Sequence, residues 1–340
     1  MYESFYGFTG KPFQLNPDPA FLFASRGHKR AYAYLQYGLF QSEGFIVITG
    51  EIGAGKTTLV RSLLDRLNSR EVVAAQLVST QLDADDLLRA VAIAFGCPVK
   101  TSDKAALLGT LEAFFTSLAT QNRRALLVVD EAQNLSARAV EELRMLSNFQ
   151  LGDRALLQSF LVGQPELRAT MRGARMQQLR QRVTASYHLG PMDAPETRGY
   201  IEHRLTRVGW KDDPHFESGA FAAIYSASAG IPRRINLLCN RLLLAGYLGE
   251  KHVLTNDDVE SIVAEVDEEL GTETALAGVV STASFSPKPQ SAGEVAHRSD
   301  LGALDERLGR VEKILESIVD FLPQLTRRDV GSRSKDQSGH

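Results

Sequence analysis

Cysteine is nearly absent from this 340-residue chain: Cys97 and Cys239 stand alone, outside any C-x-x-C pair, which excludes a disulfide framework and a cysteine-based zinc site. Two isolated thiols read as buried packing residues. Long apolar runs are missing as well. No stretch approaches 18 consecutive apolar residues, and the N-terminal MYESFYGFTGKPF lacks a basic region followed by an apolar core, so neither a spanning helix nor a secretory leader is expected. The expected compartment is the cytoplasm. Charge of one sign is also scarce: a net charge of -3 provides no overall electrostatic footprint for nucleic acid, although a local basic patch is compatible with that sum. With 44% hydrophobic and 23% charged residues, the composition suits a globular chain long enough for two domains.

Against that ordinary background one segment stands out. GEIGAGKT, Gly50 to Thr57, fits G-x-x-x-x-G-K-[ST] without deviation, after the apolar run Phe45 to Thr49 and before the helix-compatible stretch Thr58 to Asn68. A strand that delivers a glycine-rich turn onto a helix start aims backbone N–H groups and the positive helix end at phosphate. Nucleotide binding is therefore expected along Gly50, Glu51, Ile52, Gly53, Ala54, Gly55, Lys56, Thr57 and Thr58, with ATP as the nucleotide. Lys56 reaches the β- and γ-phosphates in this reading, and the Thr57 hydroxyl ligates Mg²⁺. A second motif supports it: Ala125 to Asp130 is an apolar strand ending in Asp130-Glu131. Asp130 is the expected Mg²⁺ partner, through water, and Glu131 the group that polarises the attacking water.

The organisation around these motifs is periodic. Strand-like runs at 45–49, 72–79, 125–130, 156–162 and 183–189 alternate with helical patterns, which indicates an α/β domain over 45–192 with a parallel five-stranded sheet. Residues 1–44, with a turn at Asn16-Pro17-Asp18-Pro19 and a helix over 27–41, form the N-terminal segment of the same module. Over 193–270 the strand signal disappears and helical periods at 195–208, 217–229, 232–248 and 256–269 predict a small all-helical domain. Residues 271–298 are rich in small and turn-forming residues and read as a linker. Beyond it Leu301, Leu304, Leu308, Val311, Leu315, Ile318 and Leu322 are spaced 3, 4, 3, 4, 3, 4, a heptad register ended by Pro323, so 299–325 is a coiled-coil helix candidate. Its alternative is an amphipathic helix packed back on the body. Residues 326–340 read as a disordered tail.

GEIGAGKTT, LLVVDEAQNL, LVGQPEL, LRQRV and GIPRRINLLCNRLL together resemble the AAA+ ATPases, and within them the secretion ATPases typified by general secretion pathway protein A; FYGFTGKPFQLNPDPAFLFASRGHKRAYAYLQYGL strengthens the likeness. The segments extend over roughly residues 1–268. Within that family the pattern is most like the subfamily encoded in exosortase/PEP-CTERM and exopolysaccharide loci. The resemblance implies an AAA+ P-loop NTPase fold with a helical lid, and an oligomer acting on envelope secretion or polysaccharide machinery, in the cytoplasm or peripheral to the inner membrane. It further implies a polar sensor at Gln164, an arginine acting on a neighbouring subunit's ATP at Arg180 or Arg182, and a second sensor at Arg233 with Arg234 beside it. A DNA-bound regulator resembling transposition helper ATPases is the alternative reading, and a scaffold that binds ATP with little turnover is a third. His28 and His203 have no metal-spaced partners and read as ordinary core or surface histidines; Tyr6 and Phe8 read as packing residues, with an approach to adenine as the alternative.

Overall fold

A computed structural model describes residues 1–16, 18–78, 82–99, 103–173 and 176–277. The expected linker beyond 277, the heptad helix at 299–325 and the tail at 326–340 lie outside the described residues. The main sheet is built from β1 (Phe45–Gly50), β2 (Val72–Val78), β3 (Arg124–Asp130), β6 (Leu157–Gly163) and β7 (Val183–Leu189), all parallel, in the order β2-β3-β6-β1-β7. A short hairpin of β4 (Gln150–Leu151) and β5 (Arg154–Ala155) precedes β6. These ranges match the apolar runs of the sequence to within one residue at either end, as expected for strands covered on both faces.

Side chains of β1 alternate between two apolar layers. Phe45 and Val47 enter the layer under α4 (Ala84–Ala94), α5 (Lys104–Thr120) and α6 (Ala137–Leu146). Ile46 turns the other way, against Gly38 of α2 (Arg26–Gln41), and that face is also covered by α3 (Lys56–Leu64). Phe45, Ile46 and Ile48 are fully buried, each worth about 1.5–3 kcal/mol of transfer free energy. Between β6 and β7 run α7 (Pro165–Arg172) and α8 (Gln177–Arg180), which close the first layer with Leu167, Met171 and Leu179.

The region after β7 comprises α9 (Ala194–Arg207), α10 (Ser218–Ser228), α11 (Pro232–Leu248) and α12 (Asn256–Ala277). Local chemistry sets these starts. Asp193 and Glu196 form a reciprocal capping box at α9, and proline occupies the first turn of α9 and of α11, where a missing N–H costs nothing. Two expectations need correction. The lid is not purely helical, because β8 (His215–Phe216) pairs in parallel with β9 (Val253–Leu254); strands of two residues are too short to carry an alternating pattern. The helix expected to end at 269 continues to Ala277, past the linker boundary placed at 271. Its Leu-Gly-Thr-Glu-Thr-Ala-Leu-Ala stretch contains one glycine but no proline, so a helix can propagate through it.

The first residues also depart from expectation, since α1 (Tyr2–Phe5) and the aromatics that follow it belong to the core of the lid. Tyr2, Tyr6, Phe8 and Phe13 are buried with Ile201, Leu205, Ile235, Cys239 and Leu243. The Tyr2 hydroxyl donates to Asn240 Oδ1 at 2.8 Å, Tyr6 Oη to the Lys251 carbonyl at 3.0 Å, and Arg204 Nη1 to the Pro12 carbonyl at 2.8 Å. Tyr6 and Phe8 are thus packing residues. The segment completes a lid that its own helices leave open. Phe13→Ala is expected to lower unfolding free energy by about 3–5 kcal/mol in a urea titration, because a side chain only 2% exposed leaves a cavity. A loss below about 1 kcal/mol would mean that the N-terminal segment is not part of the lid core.

Candidate active site

All five parallel strands end toward one edge of the sheet, and both motifs lie there. β1 runs into the loop 50–55, and α3 begins at Lys56 with Gly55 as its N-cap. Gly53 and Gly55 have φ of +82° and +95°, a region that side chains rarely enter, and a Cβ on Gly53 would overlap Arg233. The turn therefore requires glycine at both places. The Lys56 ammonium is drawn back into the loop, donating to the Gly50 carbonyl at 2.7 Å and the Glu51 carbonyl at 3.0 Å. Burial lowers its pKa, partly offset by Glu131, Asp130, Glu51 and Glu166 around it.

Asp130 ends β3 and Glu131 follows it at the start of the next turn. The Thr57 hydroxyl donates to Asp130 Oδ2 at 2.8 Å, and the other Asp130 oxygen accepts from the Glu131 backbone N–H at 3.0 Å. A hydroxyl and a carboxylate in contact are hard oxygen ligands of the type Mg²⁺ takes, so this pair fits the expected ion. Glu131 has φ of +53°, the left-handed region, at the turn that leaves β3. Strain of this kind concentrates at functional positions.

Glu131 is held by two amides. Gln133 Nε2 donates to Glu131 Oε2 at 2.6 Å and Gln164 Nε2 donates to the same oxygen at 3.0 Å, while the Gln164 N–H donates to Gln133 Oε1 at 3.0 Å. Burial pushes the Glu131 carboxyl up, but these amides and the Lys56 charge together outweigh it and hold the group below its usual range. Gln164 thus stands at the end of β6, between the two motifs, in contact with the carboxylate. Gln133 was missed by the sequence reading. Its signal was the polar residue two positions after Glu131, on the 3₁₀ turn Ala132–Asn134.

The arginines divide by position. Arg233 is exposed on the first turn of α11, its N–H donating to the Gly53 carbonyl at 3.2 Å, so the lid touches the phosphate loop there. Arg234 beside it is also exposed. Arg180 donates to the Met171 and Gly173 carbonyls at 2.5 and 2.9 Å, and Arg182 to the Ser147 carbonyl and hydroxyl at 3.1 and 3.0 Å. Arg180 closes α8 and Arg182 directly precedes β7; neither guanidinium bonds to the phosphate loop of its own chain. His28 is buried against the loop, and His188, paired to Thr49 at 3.0 Å, flanks its start; neither had been singled out for the site. His203 packs on Phe23 in the lid.

Replacing Gln133 by Leu removes a donor to the ionised carboxylate and keeps its burial, so the Glu131 pKa is expected to rise, and further in Gln133→Leu/Gln164→Leu. Carbon-detected NMR titration of the Glu131 carboxyl reads this directly. An unchanged or lower midpoint in the double variant would show that the amides do not set it.

An AAA domain family matches residues 39–171. General secretion pathway protein A of Aeromonas hydrophila is 37% identical over 289 residues, covering 82% of this chain and 52% of that protein, so the chain spans about half of its relative's length. The ORC2 protein of Aeropyrum pernix superposes with a TM-score of 0.56 at 20% identity, over 75% of this chain and 71% of that one. Cdc6p of Pyrobaculum aerophilum gives 0.57 at 15% identity, over 73% and 71%. At those identities the likeness concerns fold alone. With its parallel sheet in the order β2-β3-β6-β1-β7, its phosphate loop and its Asp-Glu strand end, the chain has the AAA+ P-loop fold, matches an AAA domain over residues 39–171 and is similar to general secretion pathway protein A.

Proposed function

We propose that the chain hydrolyses ATP to ADP and phosphate at a site completed by a neighbouring copy, and that this turnover powers or regulates assembly of an envelope secretion system of the exosortase-linked, exopolysaccharide type. The observation that carries the hydrolytic part is the 2.8 Å contact between Thr57 and Asp130, with Glu131 next in the chain. In this reading the amides of the loop and Lys56 bind the phosphates, and Arg233 reports the nucleotide from the lid. Thr57 and Asp130 would hold Mg²⁺, which would supply neutralisation of phosphate charge. Glu131, kept ionised, orients and deprotonates water, and Gln164 releases or holds that carboxylate.

Arg180 and Arg182 support the shared site by where they stand. Each bonds to groups at the end of a helix rather than to the loop of its own chain, and in this reading either guanidinium meets transition-state charge in another subunit. The identity with a secretion protein supports the pathway, and its partners are proposed to be further copies of this chain and components of the envelope machinery. No helix among the described residues is long and apolar enough to cross a membrane.

ATP turnover measured against protein concentration tests this. Specific activity is expected to rise with concentration, Lys56→Ala to lose nucleotide binding, and Glu131→Gln to bind ATP while kcat falls by about 10²–10⁴-fold. Arg180→Ala or Arg182→Ala is expected to lose about 10³-fold in kcat and to regain activity when mixed with Glu131→Gln, whose subunits supply the missing arginine. Full activity of both arginine variants would sink catalysis in trans, and absence of turnover in the wild type would sink the hydrolytic reading.

A further inference from the structure

His28 is not part of the phosphate loop in sequence, lying at the third position of α2, yet it is one of the few buried polar side chains and is packed directly beneath the loop. A Cβ built on Gly55 would sit 2.8 Å from His28 Nε2, so the ring occupies the space that the glycine leaves. Two neighbours determine how the ring is protonated. Ser25 caps α2: its hydroxyl oxygen accepts from the His28 backbone N–H at 3.2 Å and lies 2.7 Å from His28 Nδ1. A backbone carbonyl can only accept, so the neutral ring that meets the Ala54 carbonyl carries its proton on Nε2, and Nδ1 then accepts from the Ser25 hydroxyl. The Nε2 side faces the Ala54–Gly55 peptide, where the Ala54 carbonyl accepts. Burial opposes charging of the ring, with Ala54 and the more distant Glu196 acting in the other direction.

The consequence follows from peptide geometry. In a trans peptide the C=O and N–H of one plane point to opposite sides. With the Ala54 carbonyl held down by His28, the Gly55 N–H is turned away from α2, and among the described residues it has no protein acceptor. We propose that His28 is a positioning residue of the phosphate site: it anchors the Ala54 carbonyl from below so that the Gly55 N–H is presented, already oriented, to the phosphates of a nucleoside di- or triphosphate. This rests on the nucleotide-binding reading above. Ser25 acts one step further out by holding the tautomer, and the glycine at 55 is required both for its φ of +95° and for the ring beneath it. Freezing one peptide before the ligand arrives reduces the ordering cost of binding, which is how an unreactive residue contributes affinity.

The test uses the full chain and titration of a fluorescent ADP, with unlabelled ADP and inorganic pyrophosphate as competitors. His28→Leu keeps bulk and removes the donor, and is expected to weaken ADP and pyrophosphate by the same factor, roughly tenfold. His28→Gln, whose amide can reach the place of Nε2, is expected to stay within about threefold of wild type. Both variants should unfold without nucleotide at the wild-type temperature. Wild-type ADP affinity in His28→Leu, equal losses in the Gln and Leu variants, or a loss for ADP with pyrophosphate unaffected would each overturn the proposal, the last by assigning the ring to the nucleoside. Should His28→Leu fail to fold, His28→Asn, whose amide is too short to reach Ala54, replaces it with the same expectation. A wild type that binds neither ADP nor pyrophosphate would instead overturn the nucleotide reading itself.

Discussion

Thr57 and Asp130 are 73 positions apart in the chain and joined by a hydrogen bond of 2.8 Å, and everything else at the site is arranged around that contact. It exists because β1 and β3 are not neighbours: β6 is inserted between them, and all three run the same way. Parallel strands put their carboxyl ends on one edge, so the loop after β1, the acidic pair after β3 and Gln164 after β6 arrive together. An antiparallel partner would have carried one motif to the other edge. The insertion of β6 also explains why a glutamine from a third segment reaches Glu131, since Gln164 stands between the two motifs that flank it.

The polar groups at that edge are satisfied by one another. Lys56 donates to loop carbonyls, Thr57 to Asp130, and the amides of Gln133 and Gln164 to Glu131. Partly buried charges require such partners, because stripping a carboxylate or ammonium of water without replacement costs several kcal/mol. The arrangement has a chemical consequence as well. A carboxylate whose one oxygen carries two amide bonds is ionised and oriented, but its basicity is reduced, and its readiness to accept a proton depends on whether those amides stay.

Two of the links between the lid and this edge lie at helix starts. The first turn of α11 meets the loop through Arg233 and Gly53, and Arg26 of α2 bonds Asp193 and Glu196 at the start of α9. Because Tyr2, Tyr6, Phe8 and Phe13 are built into the lid core, α2 connects lid and loop from one side while α11 does so from the other. Exposed ion pairs such as that of Arg26 contribute little individually. Their role is geometric, keeping the lid helices registered on the phosphate loop.

Strands, motifs and most helices were legible in the sequence because each has a local cause: continuous apolar runs for strands buried on both faces, glycine where φ is positive, proline and capping residues at helix starts. Lys56, Thr57, Asp130 and Glu131 could be named for the same reason, as their spacing to strand and helix is written within a few residues. Partners brought from afar could not. That Gln164 joins Gln133 on one oxygen of Glu131, that Tyr2, Tyr6, Phe8 and Phe13 finish the lid, and that His28 lies under Gly55 all depend on strand order and on which helix covers which face. Local sequence specified the backbone and its reactive groups; the packing of distant segments decided which residues far apart in the chain would meet, since nothing local holds Gln164 to Glu131 or His28 to Gly55.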